Sequence, residues 1–143
     1  MSDAPAPMDF AAMNRAVIEE FRANGGRAGG MFEGKPLVLV HHVGARSGTE
    51  RIAPLVPLIE GERVYIFASK GGADSNPDWY HNLIANPDTR IELGTDTLPV
   101  RVREVTGPER DEVYARQVAL EPQFGDYQRK TDRTIPVLEL QRA

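Results

Sequence analysis

Arg90-Ile91-Glu92-Leu93-Gly94-Thr95-Asp96-Thr97-Leu98-Pro99-Val100-Arg101-Val102-Arg103-Glu104-Val105 sets apolar against charged residues on both sides of a Gly-Thr-Asp turn. A period of two places alternate side chains on one face, so the stretch is expected to be a half-buried β-hairpin. Working towards the N-terminus, Val64-Tyr65-Ile66-Phe67 and Leu37-Val38-Leu39-Val40 are short apolar runs bounded by turn residues, the pattern of buried strands. Between them, Ile52 to Ile59 carries Pro54 and Pro57. Proline cannot donate to a ladder, so this strand should be an edge, be bulged or begin late. Towards the C-terminus, Ile135-Pro136-Val137-Leu138-Glu139-Leu140 forms the last strand.

Helical signals are fewer. Phe10, Met13, Val17 and Phe21 share helical spacing after Asp9, a suitable N-cap, which gives an N-terminal helix over residues 9–24 that stops at Asn24-Gly25-Gly26. Residues 1–8 read as a flexible Pro/Ala lead, and the five glycines between Gly25 and Gly34 as a mobile connection. Asn76 as N-cap, Pro77 at the first position and Asp78 at the positive end of the dipole open a second helix that Asn86-Pro87 closes. Pro108 opens a third, to about Leu120, and Pro122 to Tyr127 is a short aromatic segment. About six strands joined by local hairpins, without regular βαβ alternation, predict an α+β fold built on a small antiparallel barrel. Residues 1–143 form one domain in this reading, without internal repeats.

Composition narrows the function. The net charge of −4, with arginines interleaved among acids, argues against nucleic acid as a general partner. The absence of cysteine excludes disulfides, thiolate metal sites and cysteine nucleophiles. No apolar run reaches the roughly 20 residues that a spanning helix needs, and the N-terminus lacks the regions of a signal peptide, so a cytoplasmic protein is expected. The N-terminal helix reads as a core-packed element, with peripheral contact to a membrane as the alternative. His41, His42 and His81 lack metal-ligand spacing, and neighbours on a strand face opposite ways, so no metal is expected.

Two loops carry the chemistry. Val43-Gly44-Ala45-Arg46-Ser47-Gly48-Thr49-Glu50-Arg51 and Ala68-Ser69-Lys70-Gly71-Gly72 each follow a strand and join a cation to glycines and a hydroxyl, an arrangement that lets backbone amides approach an anion. Neither is a P-loop or a Rossmann fingerprint. Trp79 and Tyr80 can wall a planar ring, while Ser69 and Tyr127 are possible donors to a reacting oxygen. The residues together suit an anionic ligand with a flat apolar part.

Gly44-x-Arg46-Ser47-Gly48-x-x-Arg51-x-x-Pro54-Leu55, Ala68-Ser69-Lys70-Gly71-Gly72, Asn76-Pro77-x-Trp79-Tyr80-x-Asn82-Leu83-x-Ala85-Asn86-Pro87 and Tyr127-x-x-x-Thr131-x-Arg133-x-Ile135-Pro136-Val137 occur in that order. Over nearly the whole chain this resembles the deazaflavin-dependent nitroreductase family, whose members use coenzyme F420. The resemblance implies a split β-barrel related to flavin-mononucleotide oxidases, with flavin mononucleotide itself as the less favoured cofactor. It places Arg46, Ser47 and Arg51 at the cofactor phosphate, Ala45 and Gly48 in the same cofactor site, and Ile52, Ala53, Pro54 and Leu55 along its ring. Ala68, Ser69, Lys70, Gly71, Trp79, Tyr80, Asn82 and Phe124 would complete the cofactor site. Val56, Phe124 and Tyr127 would line the substrate, with Ser69 and Tyr127 orienting it or giving a proton. The implied activity is hydride transfer to an activated double bond, a quinone or a nitro compound, with a non-catalytic deazaflavin or lipophilic-anion carrier as the alternative. The partner is then a small molecule, and the protein a monomer or homodimer. Relatives that reduce nitro compounds often carry tyrosines at the positions of Val56 and Phe124, and many show a threonine pair where this chain has His41-His42.

Overall fold

The computed structural model describes residues 10–143. The Pro/Ala lead and the Asp9 cap therefore lie outside the described residues. Helix α1 spans Phe10–Ala23. Seven strands follow: β1 Val38–Val43, β2 Glu50–Leu55, β3 Leu58–Glu60, β4 Arg63–Phe67, β5 Asp88–Leu93, β6 Asp96–Val105 and β7 Val137–Arg142. Helix α2 (Asp78–Ala85) lies between β4 and β5, and α3 (Gly107–Leu120) and α4 (Gln123–Arg129) lie between β6 and β7. The aromatic segment after Pro122 is thus a helix in its own right.

All strand pairs are antiparallel, in the order β2-β1-β5-β6-β7-β4-β3, which curls into a split barrel. The hairpin expected from the alternating stretch is present, with Ile91 opposite Leu98 and Leu93 opposite Asp96. The strand count is seven rather than six because the run Ile52–Ile59 makes two strands. β2 and β3 end the sheet on opposite sides, so both are edges, and the chain crosses from one edge to the other at Val56-Pro57. Pro57 has no N–H to give to a ladder, and edge position tolerates Pro54, which pairs with Leu39. This crossing brings Pro54, Leu55 and Val56 into one short segment beside the site.

The continuous apolar strands are covered on both faces. Val38, Val40, Val64, Ile66, Leu138 and Leu140 point into the barrel with Leu83 and Trp79. Their neighbours Leu37 and Leu39 pack under α1 with Phe21, and Tyr65, Phe67 and Val137 pack under α3 and α4 with Tyr114 and Phe124. A strand buried on both sides shows no alternation, which is why these runs read as solid apolar blocks. One polar tie crosses the α1 side: Arg22 reaches Glu92 with two hydrogen bonds of 2.9 and 2.7 Å. Together with His41 this holds the Glu92 carboxyl down at about 2, Arg22 being the larger cause.

Candidate functional site

Two clefts run along β2 and the start of α2. The first, about 410 Å³, is lined by Gly44, Ala45, Arg46, Ser47, Arg51, Asp78, His81 and Asn82. Its floor is the β1–β2 hairpin loop, closed by Gly44 N–H donating to Thr49 O and Gly48 N–H to Gly44 O, both at 2.9 Å. A Cβ at position 44 would stand 2.4 Å from Ser47 Oγ, so glycine there lets the Ser47 hydroxyl keep its place in the loop. Ser47 Oγ in turn accepts from Thr49 N–H at 3.2 Å.

The loop is anchored from beneath. Buried Asn82 of α2 accepts the Ala45 N–H at 3.0 Å and directs its amide nitrogen at His42 Nδ1, also at 3.0 Å. Burial, reinforced by the Arg51 charge, pushes the His42 imidazole down to about 4. A neutral ring can accept the amide proton at Nδ1, so the chain His42–Asn82–Ala45 has one consistent direction. His42 therefore fixes loop position. His41, on the opposite face of β1, sits 2.8 Å from both Glu50 and Glu92. The two histidines face different ways, as expected of strand neighbours, and the described residues contain no cluster of metal-ligating groups. Above the anchor, Arg46 and Arg51 are exposed, and no ion pair engages either among the described residues.

The second cleft, about 350 Å³, is lined by Phe32, Lys35, Pro54, Leu55, Val56, Phe67, Ser69, Lys70, Gly71, Pro77, Trp79, Gln123, Phe124 and Tyr127. Its walls are largely apolar: Phe124 meets Phe67 and Tyr127 edge-on, with ring centroids 5.5 and 5.3 Å apart. On one side the Lys70–Gly72 turn runs through left-handed backbone, Lys70 itself at φ 47°. Gly72 lets this turn press on α4, since a Cβ there would lie 2.7 Å from Tyr127 O.

The turn is held by Arg133. Its guanidinium donates to Ala73 O (2.7 Å), Ala68 O (3.1 Å), Ser69 O (2.8 Å) and Asn76 Oδ1 (2.8 Å). Thr131 adds a bond to Asp74 at 3.0 Å. A half-buried arginine spends all three nitrogens on one loop, which fixes a backbone conformation that lysine would otherwise avoid. Asn76 is consequently engaged here. Helix α2 begins at Asp78 with Pro77 in the cap position, and the expected side-chain cap by Asn76 does not form.

Of the residues singled out from sequence, Ala45, Arg46, Ser47, Arg51 and Asn82 meet in the first cleft. Pro54, Leu55, Val56, Ser69, Lys70, Gly71, Trp79, Phe124 and Tyr127 meet in the second. Gly48, Ile52, Ala53, Ala68 and Tyr80 line neither. Ala53 and Ala68 are barrel core, Ile52 packs with Phe21 and Leu39, and Gly48 supplies a left-handed turn at φ 69°. The Tyr80 hydroxyl donates to Glu104 at 2.7 Å, and burial together with that carboxylate pushes it up to about 12. Sequence reasoning missed Asp78 and His81, whose spacing with Asn82 on one helix face was a usable signal. It also missed Phe32, Lys35 and Gln123, which arrive from the glycine-rich connection and the α4 start without a motif.

Comparison with known proteins supplies a family. A family model described as F420H(2)-dependent quinone reductase matches residues 13–141. An F420H(2)-dependent quinone reductase of Mycobacterium tuberculosis is 36% identical over 126 residues, covering 85% of each chain. A solved F420-H2-dependent reductase (FDR-A) is 39% identical with a TM-score of 0.68, over 74% of this chain and 94% of that one. A solved domain-swapped dimer is 34% identical with a TM-score of 0.71, over 95% and 100%.

Proposed function

The chain belongs to the F420H(2)-dependent quinone reductase family and is an oxidoreductase dependent on coenzyme F420, and from that premise we propose that its two clefts form one cofactor groove serving a quinone-type acceptor. The observation that supports this most is the pairing of a cation loop with an apolar slot on the same two elements. Arg46, Arg51 and Ser47 line the first cleft together and would hold a phosphodiester through two guanidinium groups and a hydroxyl. Pro54, Leu55 and Trp79 offer apolar walls in the second cleft, and Ser69, Lys70 and Gly71 would border a planar ring held there. The residues therefore fit a ligand with an anionic tail and a planar head.

When bound, reduced deazaflavin supplies two electrons as hydride. The protein's own part is to seat the acceptor against Val56, Phe124 and Tyr127, to exclude water with the aromatic cluster, and to meet the charge that develops on the acceptor oxygen. Ser69 and Tyr127, both half-buried in the slot, are the donors proposed for that oxygen. Val56 and Phe124 leave the slot without two further hydroxyls, which supports a quinone over a nitro compound. Gly48, Ile52, Ala53, Ala68 and Tyr80 act in this reading by shaping loop and barrel. A homodimer is the assembly proposed, on the strength of the domain-swapped relative, and light scattering checks it.

Titration with oxidised F420, followed by deazaflavin fluorescence, tests the groove. Wild type should bind, Arg46→Glu should lose most affinity and Lys70→Ala part of it. Unchanged affinity in both variants refutes the site, whereas tight binding with no turnover of any quinone or enone favours a carrier.

A further inference from the structure

The second cleft has two polar poles, and the proposed donors occupy only one. Ser69 and Tyr127 lie where the Lys70–Gly72 turn presses on the later part of α4. Gln123 begins that helix, four residues before Tyr127, or about 6 Å along the axis at 1.5 Å per residue. At this second pole Lys35 forms a close ion pair with Glu121, and Gln123 Nε2 donates to the same carboxylate oxygen at 3.2 Å. The side chains of Lys35 and Glu121 are 30% and 14% exposed. Val56, Phe67 and Phe124 line the same cleft with apolar surface. An ammonium has three donors, and Glu121 takes one of them. Glu121 thus orients a cation at a slot whose polar lining otherwise comes from Ser69, Lys70, Gln123 and Tyr127.

We propose that Lys35, positioned by Glu121, is the specificity-determining residue that binds the second oxygen of a quinone acceptor. The proposal rests on the function inferred for the groove. A quinone presents two carbonyl oxygens across a flat ring, matching two polar poles across an apolar gap. The hydride, carrying two electrons, forms the O–H bond at one carbonyl oxygen, one proton forms the O–H bond at the other, and the product is the hydroquinone. As the ring becomes aromatic, the electron pair of one carbonyl π bond moves onto its oxygen. Lys35 meets that charge and gives the proton, which it recovers from solvent through its exposed side. A mono-carbonyl enone develops charge on a single oxygen, which Ser69 or Tyr127 serves alone.

The test compares menadione with 2-cyclohexen-1-one, each reduced by F420H2, in wild type, Lys35→Met and Lys35→Arg. Lys35→Met should lower kcat/KM for menadione about tenfold, the loss expected for one charge-assisted hydrogen bond, and leave the enone within about twofold. Lys35→Arg should restore most of the quinone activity. Without turnover, quenching of Trp79, the sole tryptophan, which lines this cleft, should report weaker menadione binding in Lys35→Met at unchanged F420 affinity. Equal losses for both acceptors, no loss for menadione, or a parallel loss of F420 affinity overturns the proposal. Wild type that binds no F420 brings down the function of the groove, and this proposal with it.

Discussion

The two clefts are built by opposite means. The first is a loop on polar anchors: Asn82 and neutral His42 hold its backbone, and its cations stand free in solvent. The second is a packed slot, whose aromatic walls set its shape and whose one flexible border is clamped by Arg133. The contrast suits one ligand with two ends. A charged tail is gripped by charges that need not be buried, while a flat head needs dry, shape-matched walls. It also predicts different failure modes, since the first cleft should weaken with salt and charge, the second with packing.

The largest effect should come from reversing the loop's charge. Arg46→Glu with Arg51→Glu should lower F420 affinity about 100-fold at low salt, with menadione quenching of Trp79 unchanged. A loss of quinone binding in that variant would break the separation of the clefts. Arg133→Met removes four hydrogen bonds from the Ala68–Asn76 loop. It should cost about 2–4 kcal/mol by denaturant titration, as several charged-group bonds lapse together, and weaken F420 binding about tenfold. An unaltered stability would show that the loop holds its own shape.

Phe124→Tyr adds a hydroxyl to an aromatic wall of the packed slot. It should leave F420 affinity within about twofold while shifting the ratio of nitroaromatic to menadione turnover upward. An unmoved ratio would take position 124 out of acceptor selection.

The smallest effect concerns pH and the loop anchor. His42 is held near 4 in the fold, below the 6.5 of an ordinary imidazole. Between those values the unfolded chain binds more protons, so stability is present above pH 6.5 and lost as pH falls towards 4. The thermal midpoint should fall by a few degrees across that window, and His42→Asn should flatten the fall. Glu92, held near 2, contributes a separate loss only below about 4.5, which His42→Asn should leave intact. A slope unchanged by the substitution would mean that His42 is not the titrating anchor.

Legibility followed locality. The Gly44–Arg51 loop was readable because its glycine, cations and hydroxyl are contiguous, and the β5–β6 hairpin because alternation is local. The packed slot draws on the glycine-rich connection, the β2–β3 crossing, the Lys70 turn, α2 and α4. Only those parts that belonged to ordered motifs could be named in advance. Phe32, Lys35 and Gln123 could not. Asn76 misled for a related reason: its cap signal is real, yet Arg133, 57 residues away, binds its oxygen instead.

Strand periodicity, proline placement and turn glycines determined an antiparallel barrel and the turns at Gly44–Arg51 and Ser69–Gly72, because each acts through the backbone within a few residues. Tertiary structure decided that Ile52–Ile59 splits and crosses the sheet, that Ile52 and Ala53 face away from the clefts, and that a lysine from a glycine-rich link stands at the rim of the aromatic slot. Those outcomes depend on which edges meet when the sheet curls, a property of the closed chain that no short stretch of it contains.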